Sequence, residues 1–367
     1  VFLNLPDYPW NAMEPVRARA MQHPDGLIDL SIGSPVDPTP DIVRAALNAA
    51  TDAHAYPLTS GTPDLSSAIV AWFARRRGVT GLNASNVLPT IGSKEFVAWL
   101  PFMLGLGDGD VVVHPRAAYP TYEIGATIAG ATAVAEDDPA DWPTNTKLVW
   151  VNSPGNPDGA GRTSEYLRAC VRRARELGAI LVSDECYAEL GWDAPWDTTR
   201  IPSLLADDVR QGSFDSLLCA YSLSKQSNMA GYRASFVAGC SELIAPLTNI
   251  RRQAGMMVPQ PVQHAMAVAL GDDTHVAAQK EIYRARRNTL KSALESAGFR
   301  IDHSEAGLYL WATEGKDAWE SLDRLASHGI VGGPGHFYGT HFPQHIRLSL
   351  TATDERINSA SHRLLGQ

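Results

Sequence analysis

Apolar residues along this chain recur in two alternating rhythms. Short uninterrupted runs rich in β-branched residues, at Val111–His114, Leu148–Val151, Ile180–Ser183, Leu217–Tyr221 and Ser235–Ala238, have the length and composition of buried parallel strands. Between them lie amphipathic stretches. In Thr163–Leu177, residues Leu167, Cys170, Val171, Ala174 and Leu177 return at intervals of three and four, while Arg and Glu occupy the other faces. A second such segment is Asp64–Arg77, where Asp64 can cap and Leu65, Ala68, Ile69, Trp72 and Phe73 form one apolar face, read as core packing. Strand alternating with helix predicts an α/β layer with helices on both sides of the sheet.

After about Ala245 the rhythm changes. Long helical segments at 241–270 and 274–297 are followed by a strand at Gly307–Ala312, a helix near Asp317–His328 and a strand at His345–Leu350. This predicts a smaller α+β domain over 246–367 beside a larger one over 41–245. The proline-rich opening, 1–40, has few partners of its own and is expected to pack across the domains, beside the small one.

Composition removes several classes. With 44% hydrophobic and 19% charged residues the chain resembles neither a disordered nor a membrane protein. Its longest apolar run, Phe96–Leu106, contains Pro101 and falls short of the ~20 residues that span a bilayer. The net charge of −9, with no basic block, argues against a broad nucleic-acid surface. The four cysteines, Cys170, Cys186, Cys219 and Cys240, form no C-x-x-C pair, so reduced buried thiols and a cytoplasmic location are expected. The first residues have neither a basic flank nor an apolar h-region, so no signal peptide is expected.

Nucleotide and metal signatures fail. Gly105-Leu-Gly-Asp-Gly-Asp110 lacks the third glycine of the dinucleotide motif and leads into a strand instead of leaving one; P-loop and H-E-x-x-H patterns are missing, and no metal site is expected. What remains is polar residues at strand ends, where ligands gather in open α/β sheets. In Tyr221-Ser-Leu-Ser-Lys-Gln-Ser-Asn-Met-Ala-Gly-Tyr-Arg233, a strand delivers Ser222, Ser224 and Lys225 at its exit. Partial desolvation there lowers an amine's pKa and makes it nucleophilic. Ile180–Tyr187 ends a strand in Asp184 and Glu185, with Tyr187 next; Asn152–Gly159 is a Pro, Gly and Asn turn that includes Asn156; Thr90–Phe96 places Gly92, Ser93 and Lys94 at a helix start suited to a phosphate. Singly, each has a plain alternative: a solvated loop, a helix cap, a turn, a common glycine.

Together, in this order and spacing, they resemble the fold-type I aminotransferases that use pyridoxal 5′-phosphate, the class I/II family, over essentially the whole chain. That likeness implies a large domain with a mostly parallel, mixed sheet flanked by helices, plus a smaller α+β domain. By it Lys225 resembles the lysine that carries the cofactor, Arg233 the arginine on its phosphate, and Ser222, Ser224, Gly92 and the Ser93–Lys94 backbone the rest of the phosphate site. Asp184 matches the partner of the ring nitrogen, Tyr187 and Asn156 the groups on the ring oxygen, and Tyr119 the aromatic stacked on the ring. Tyr56 resembles the tyrosine that reaches a neighbouring subunit's phosphate, which implies a homodimer with shared sites. Arg347, in His345-Ile-Arg-Leu-Ser349, fits the arginine that grips a substrate α-carboxylate, and Gly33 fits the loop beside it.

The implied reaction moves an amino group from an amino acid, glutamate by expectation, to a keto acid. Leu5–Trp10, the Gly33–Pro38 segment and the Gly-Ser-Lys turn are similar to actinobacterial succinyldiaminopimelate aminotransferases of lysine and diaminopimelate synthesis, whose acceptor is N-succinyl-2-amino-6-ketopimelate. Arg116, Arg251 and Arg252 are candidates for its distal end. Other aminotransferases, and C–S lyases of the same fold, would share the cofactor residues. A cofactor-sensing domain of a transcription regulator is disfavoured, because about 30 residues before Gly33 leave no room for a winged-helix module.

Overall fold

The structure, a computed structural model, describes Leu3 and residues 5–366; residues 1, 2 and 4 of the expected N-terminal segment, and residue 367, lie outside the described residues. In chain order the strands are β1 (Ile28–Asp29), β2 (Val87–Ile91), β3 (Val111–His114), β4 (Thr132–Ala135), β5 (Thr146–Asn152), β6 (Ile180–Asp184), β7 (Leu217–Ser222), β8 (Ala234–Gly239), β9 (Arg300–Ile301), β10 (Tyr309–Thr313), β11 (Ile330–Val331), β12 (Gly333–Pro334) and β13 (His345–Ser349). Seven form one sheet in the order β2-β8-β7-β6-β5-β3-β4.

All five runs expected as strands are strands, but one runs the other way. β8, which contains Ser235–Ala238, is antiparallel to both β7 and β2. The chain between β7 and β8, residues 223–233, holds only the helical turn Leu223–Gln226 and the turn Ala230–Tyr232. A parallel return needs a crossover of a dozen residues or more, normally with a full helix.

The sheet is covered on both faces, as uninterrupted apolarity requires. Val149 and Val151 of β5 bury with Leu167, Cys170, Val171 and Ala174 of the helix Ser164–Leu177, and with Trp72 and Phe73. Their neighbours Leu148 and Trp150 bury on the opposite face with Phe96, Val97 and Leu100 of the helix Ser93–Met103. Each Val, Leu or Phe among them contributes about 1.5–3 kcal/mol on burial.

Two boundaries differ from expectation. The helix Pro63–Trp72 is capped by Thr62, whose hydroxyl accepts from the Leu65 N–H at 3.2 Å, rather than by Asp64. Pro63 takes the first helical position, so the cap falls one residue earlier and Asp64 faces the dipole from the first turn. The segment 241–270 is two helices, Ser241–Gln253 and Gln260–Gly271. Gly255, left-handed at φ +74°, and Pro259 interrupt it. The second helix packs on the helices Asp41–Ala49 and Pro63–Trp72 and buries Val262, Ala265, Met266 and Ala269 in the large sheet's core, although it lies beyond residue 245.

The smaller sheet, β12-β13-β10-β9, is antiparallel throughout. β1 pairs with β11, Ile28 beside Ile330, and Met13, Ala20 and Leu30 bury with Leu310, Leu322 and Ile346. The N-terminal segment is thus built into the small-sheet core.

Candidate active site

Parallel strands finish on one edge of a sheet, and here that edge gathers the polar residues. β5 ends at Asn152 and β6 at Asp184, which are register partners. β7 ends at Ser222 and passes directly into the turn that carries Lys225. Asn152 Nδ2 donates to the Asp184 carbonyl at 2.9 Å, and its Oδ1 accepts from the Asn156 N–H at 2.7 Å, so one side chain fixes two of the predicted loops.

The register of β2 with β8 explains a second juxtaposition. Ile91 lies opposite Ala234, which brings Gly92 beside Arg233. Gly92 is left-handed at φ +80°, and a Cβ there would sit 1.9 Å from Arg233 Nη2. Arg233, itself left-handed at φ +56°, donates from Nη1 to the Ala230 carbonyl at 2.7 Å. Gly92 leads into the helix Ser93–Met103, whose first N–H groups have no intrahelical partner. Ser222 Oγ lies 2.8 Å from Ser224 Oγ and accepts from the Ser224 N–H at 3.1 Å. Lys94 Nζ lies 6.0 Å from the Tyr8 ring centre.

Lys225 donates from Nζ to the carbonyl of Gly33. Burial pushes its pKa down, and the charges of Arg347 and Arg233 add to that, against an opposing pull from Tyr309 and Cys186. Gly33 admits no side chain: a Cβ would stand 2.2 Å from Tyr309 Oη. Arg347 is almost fully buried on β13. Its Nη1 donates to Asn156 Oδ1 at 2.8 Å and its Nη2 to the Ser31 carbonyl at 2.6 Å, while Nε has no partner among the described residues. The guanidinium lies over Tyr309, 3.9 Å from the ring centre, and 4.8 Å from that of Tyr338. Tyr309 Oη is 3.3 Å from Tyr187 Oη. Burial pushes the Tyr187 hydroxyl well up; it pushes Tyr309 up as well, but the Arg347 and Lys225 charges outweigh this and hold Tyr309 below its ordinary value.

Asp184 is buried with no cationic partner among the described residues. Its Oδ2 accepts from Tyr122 Oη at 3.0 Å and its Oδ1 from the Cys186 N–H at 3.2 Å, and burial pushes its pKa up. Tyr119 is half-buried, edge-on to Tyr122 at 5.9 Å between ring centres. Tyr56 stands apart from this cluster, 94% exposed. Of the candidate distal arginines, Arg251 is committed to both carboxylate oxygens of Glu95, at 2.8 and 3.0 Å, and Arg116 pairs with Glu136 at 2.8 Å.

Three residues of the cluster, Tyr122, Tyr309 and Tyr338, carry no sequence signal that separates them from core aromatics.

The arrangement suits pyridoxal 5′-phosphate. A buried carboxylate with no cation beside it among the described residues fits a protonated ring nitrogen, and a glycine cradle with an adjoining arginine fits a phosphate. A profile of the family "Aminotransferase class I and II" matches residues 25–364. The chain is 51% identical to a 4-dedimethylamino-4-oxo-anhydrotetracycline transaminase of Streptomyces rimosus, over 98% of this chain and 99% of that one. It is 48% identical to a probable aminotransferase of Mycobacterium tuberculosis, over 99% of this chain and 86% of the relative. A solved structure, a probable N-succinyldiaminopimelate aminotransferase of Thermus thermophilus, superposes with a TM-score of 0.87 at 28% identity, covering 97% of this chain and 99% of that one. With the fold, the edge cluster and these likenesses together, the chain belongs to the class I and II aminotransferases, enzymes that use pyridoxal 5′-phosphate.

Proposed function

We propose that the chain transfers the amino group of an amino acid, with glutamate as donor, to the ketone of N-succinyl-2-amino-6-ketopimelate, as a homodimer in which Tyr56 completes the partner's site. The observation that carries the amino-acid reading is Arg347: a buried guanidinium whose charge acts on Lys225, pinned by Asn156 and the Ser31 carbonyl, with Nε unpartnered among the described residues. The acceptor reading draws on the N-terminal and phosphate-turn motifs and on the name of the Thermus thermophilus structure. A second acceptor, a polycyclic ketone, is favoured by the 51% identity to the anhydrotetracycline transaminase.

When bound, pyridoxal 5′-phosphate supplies a sink for the electron pair left as a substrate Cα–H bond breaks. The chain supplies placement. Arg233, Ser222, Ser224 and the backbone of Gly92, Ser93 and Lys94 would hold the phosphate, Tyr119 the ring face, Tyr187 and Asn156 the ring oxygen. Arg347 and the Gly33 loop hold the α-carboxylate and orient Cα–H towards Lys225. The amine of Lys225, made less basic by burial, takes the Cα proton and returns it as an acid.

Half-reaction spectroscopy across donors, followed by both acceptors, tests the reading. Glutamate and N-succinyl-diaminopimelate should each convert the bound cofactor to its amino form. Release of pyruvate and ammonia from cystathionine, with no amino transfer, would instead identify a lyase.

Two variants probe the cofactor residues. Gly92→Ala forces an L-residue to φ +80°, at about 1–2 kcal/mol, and drives a methyl group into Arg233. Cofactor affinity should fall roughly tenfold or more, since 1.4 kcal/mol is one decade; equilibrium titration of the apoprotein measures it. For Asp184, the fold favours the protonated form. The cofactor-free protein therefore carries no penalty below the unfolded carboxyl range and loses stability as pH rises through the elevated folded value. Asp184→Asn should raise the Tm of the apoprotein at neutral pH, and lower transamination by about 100-fold or more through loss of the charge facing the ring.

A further inference from the structure

Tyr309 belongs to the small sheet, but its side chain ends among residues of the large one. Arg347 on β13 pairs with Trp311 of β10, so Tyr309, two positions along, lies diagonally across from Arg347 on the same face. That register sets the Tyr309 ring against the guanidinium, 3.9 Å from Cζ to the ring centre. The other end of the ring reaches the loop that follows β6, where Tyr309 Oη lies 3.3 Å from Tyr187 Oη. The crossing depends on Gly33, because a Cβ there would stand 2.2 Å from Tyr309 Oη. The Gly33 carbonyl in turn accepts from Lys225 Nζ. One buried side chain thus touches the groups that flank both ends of the candidate site.

The surroundings decide which hydroxyl donates. Burial raises the Tyr309 hydroxyl, but the charges of Arg347 and then Lys225 outweigh it and hold Tyr309 below its ordinary value. Tyr187 has the opposite balance: burial pushes it well up, and Tyr309, Cys186 and Asp184 act in the same direction. Tyr119, Tyr283 and Tyr338 also act on Tyr309 or are acted on by it, from three other segments. Tyr309 is the stronger acid of the pair and so the better donor, while Tyr187 is the better acceptor. Successive O–H donors polarise one another, so a bond received by Tyr187 strengthens the bond it gives.

We infer that Tyr309 is a positioning residue that joins the two ends of the site: its ring carries the Arg347 guanidinium, and its hydroxyl donates to Tyr187, leaving the Tyr187 proton free for the cofactor's ring oxygen. The inference rests on the roles given above to Arg347 and Tyr187. A guanidinium held on an aromatic face away from water keeps its orientation, and here that orientation is the one a carboxylate must meet.

The hydroxyl is read in the pH titration of the holoenzyme's visible absorbance. A donor on the ring oxygen steadies its negative charge and lowers the pKa of the protonated nitrogen conjugated with it. Tyr187→Phe should move the titration upward by about half a unit or more, the worth of one hydrogen bond. Tyr309→Phe, which removes one oxygen and keeps the ring, should move it upward by less, and should add nothing in the Tyr187→Phe background. The ring is read in KM: relative to Tyr309→Phe, Tyr309→Leu should raise it about tenfold or more for α-amino acids and leave it unmoved for amines that lack the α-carboxylate. Should Tyr309→Leu not fold, Tyr309→Met carries the same expectation. A Tyr309→Phe shift that persists without the Tyr187 hydroxyl, or no shift where Tyr187→Phe gives one, would overturn the inference and leave the Tyr187 assignment standing. If Tyr187→Phe itself moves nothing, the ring-oxygen assignment falls and takes the inference with it. An equal KM for the leucine and phenylalanine variants, or an equal rise for amines and amino acids, would overturn the part given to the ring.

Discussion

Lys225→Ala should reduce transamination to background with every donor, and the visible-edge absorbance of cofactor joined to the protein should vanish with it. Two losses combine. The amine that fastens the cofactor is gone, and so is the group that moves the Cα proton, a contribution of about 10²–10⁴ in rate by itself. Because Lys225 lies on a short helical turn at the end of β7, truncation leaves the strand and its core unaffected. Far-ultraviolet circular dichroism should therefore match wild type. Small primary amines added to the variant should restore part of the turnover by filling the vacated space. Retention of both absorbance and activity would refute the assignment of Lys225.

The second large effect belongs to Arg347. In Arg347→Ala, KM should rise for every α-amino acid, since a charged fork to a carboxylate contributes roughly 1.5–3 kcal/mol, about 10- to 150-fold. Amines that lack the α-carboxylate should react no more slowly than with wild type, and that contrast separates a lost contact from a damaged fold. Arg347→Lys should recover little, because a single ammonium cannot span Asn156, Ser31 and a substrate at once. An unchanged KM would assign the carboxylate to another group.

The sequence was legible where chemistry coincides with strand ends. Asp184, Ser222 and Lys225 follow apolar runs that only a buried strand explains, and the structure sets them on one edge. β2 was not legible, because Pro89 argues against a strand; the structure tolerates it in a strand at the sheet edge. The direction of β8 was hidden for another reason: apolar runs report burial and say nothing of polarity. The cage around Arg347 was beyond local reading altogether. Its partners are Ser31, Asn156, Tyr309 and Tyr338, and the bond to Ser31 joins residues 316 positions apart.

The pairing of β1 with β11 also constrains the order in which the molecule matures on the ribosome. The large sheet and the helix Gln260–Gly271 that covers it are complete once the chain has been made to about residue 271. The small-sheet core must wait for β10 to β13, and throughout that interval Met13, Ala20, Ile28 and Leu30 lack Leu310, Leu322, Ile330 and Ile346, with which they share their core. This early segment is thus among the last to settle, and nascent chains halted before β11 should expose it to proteases while the large sheet resists them.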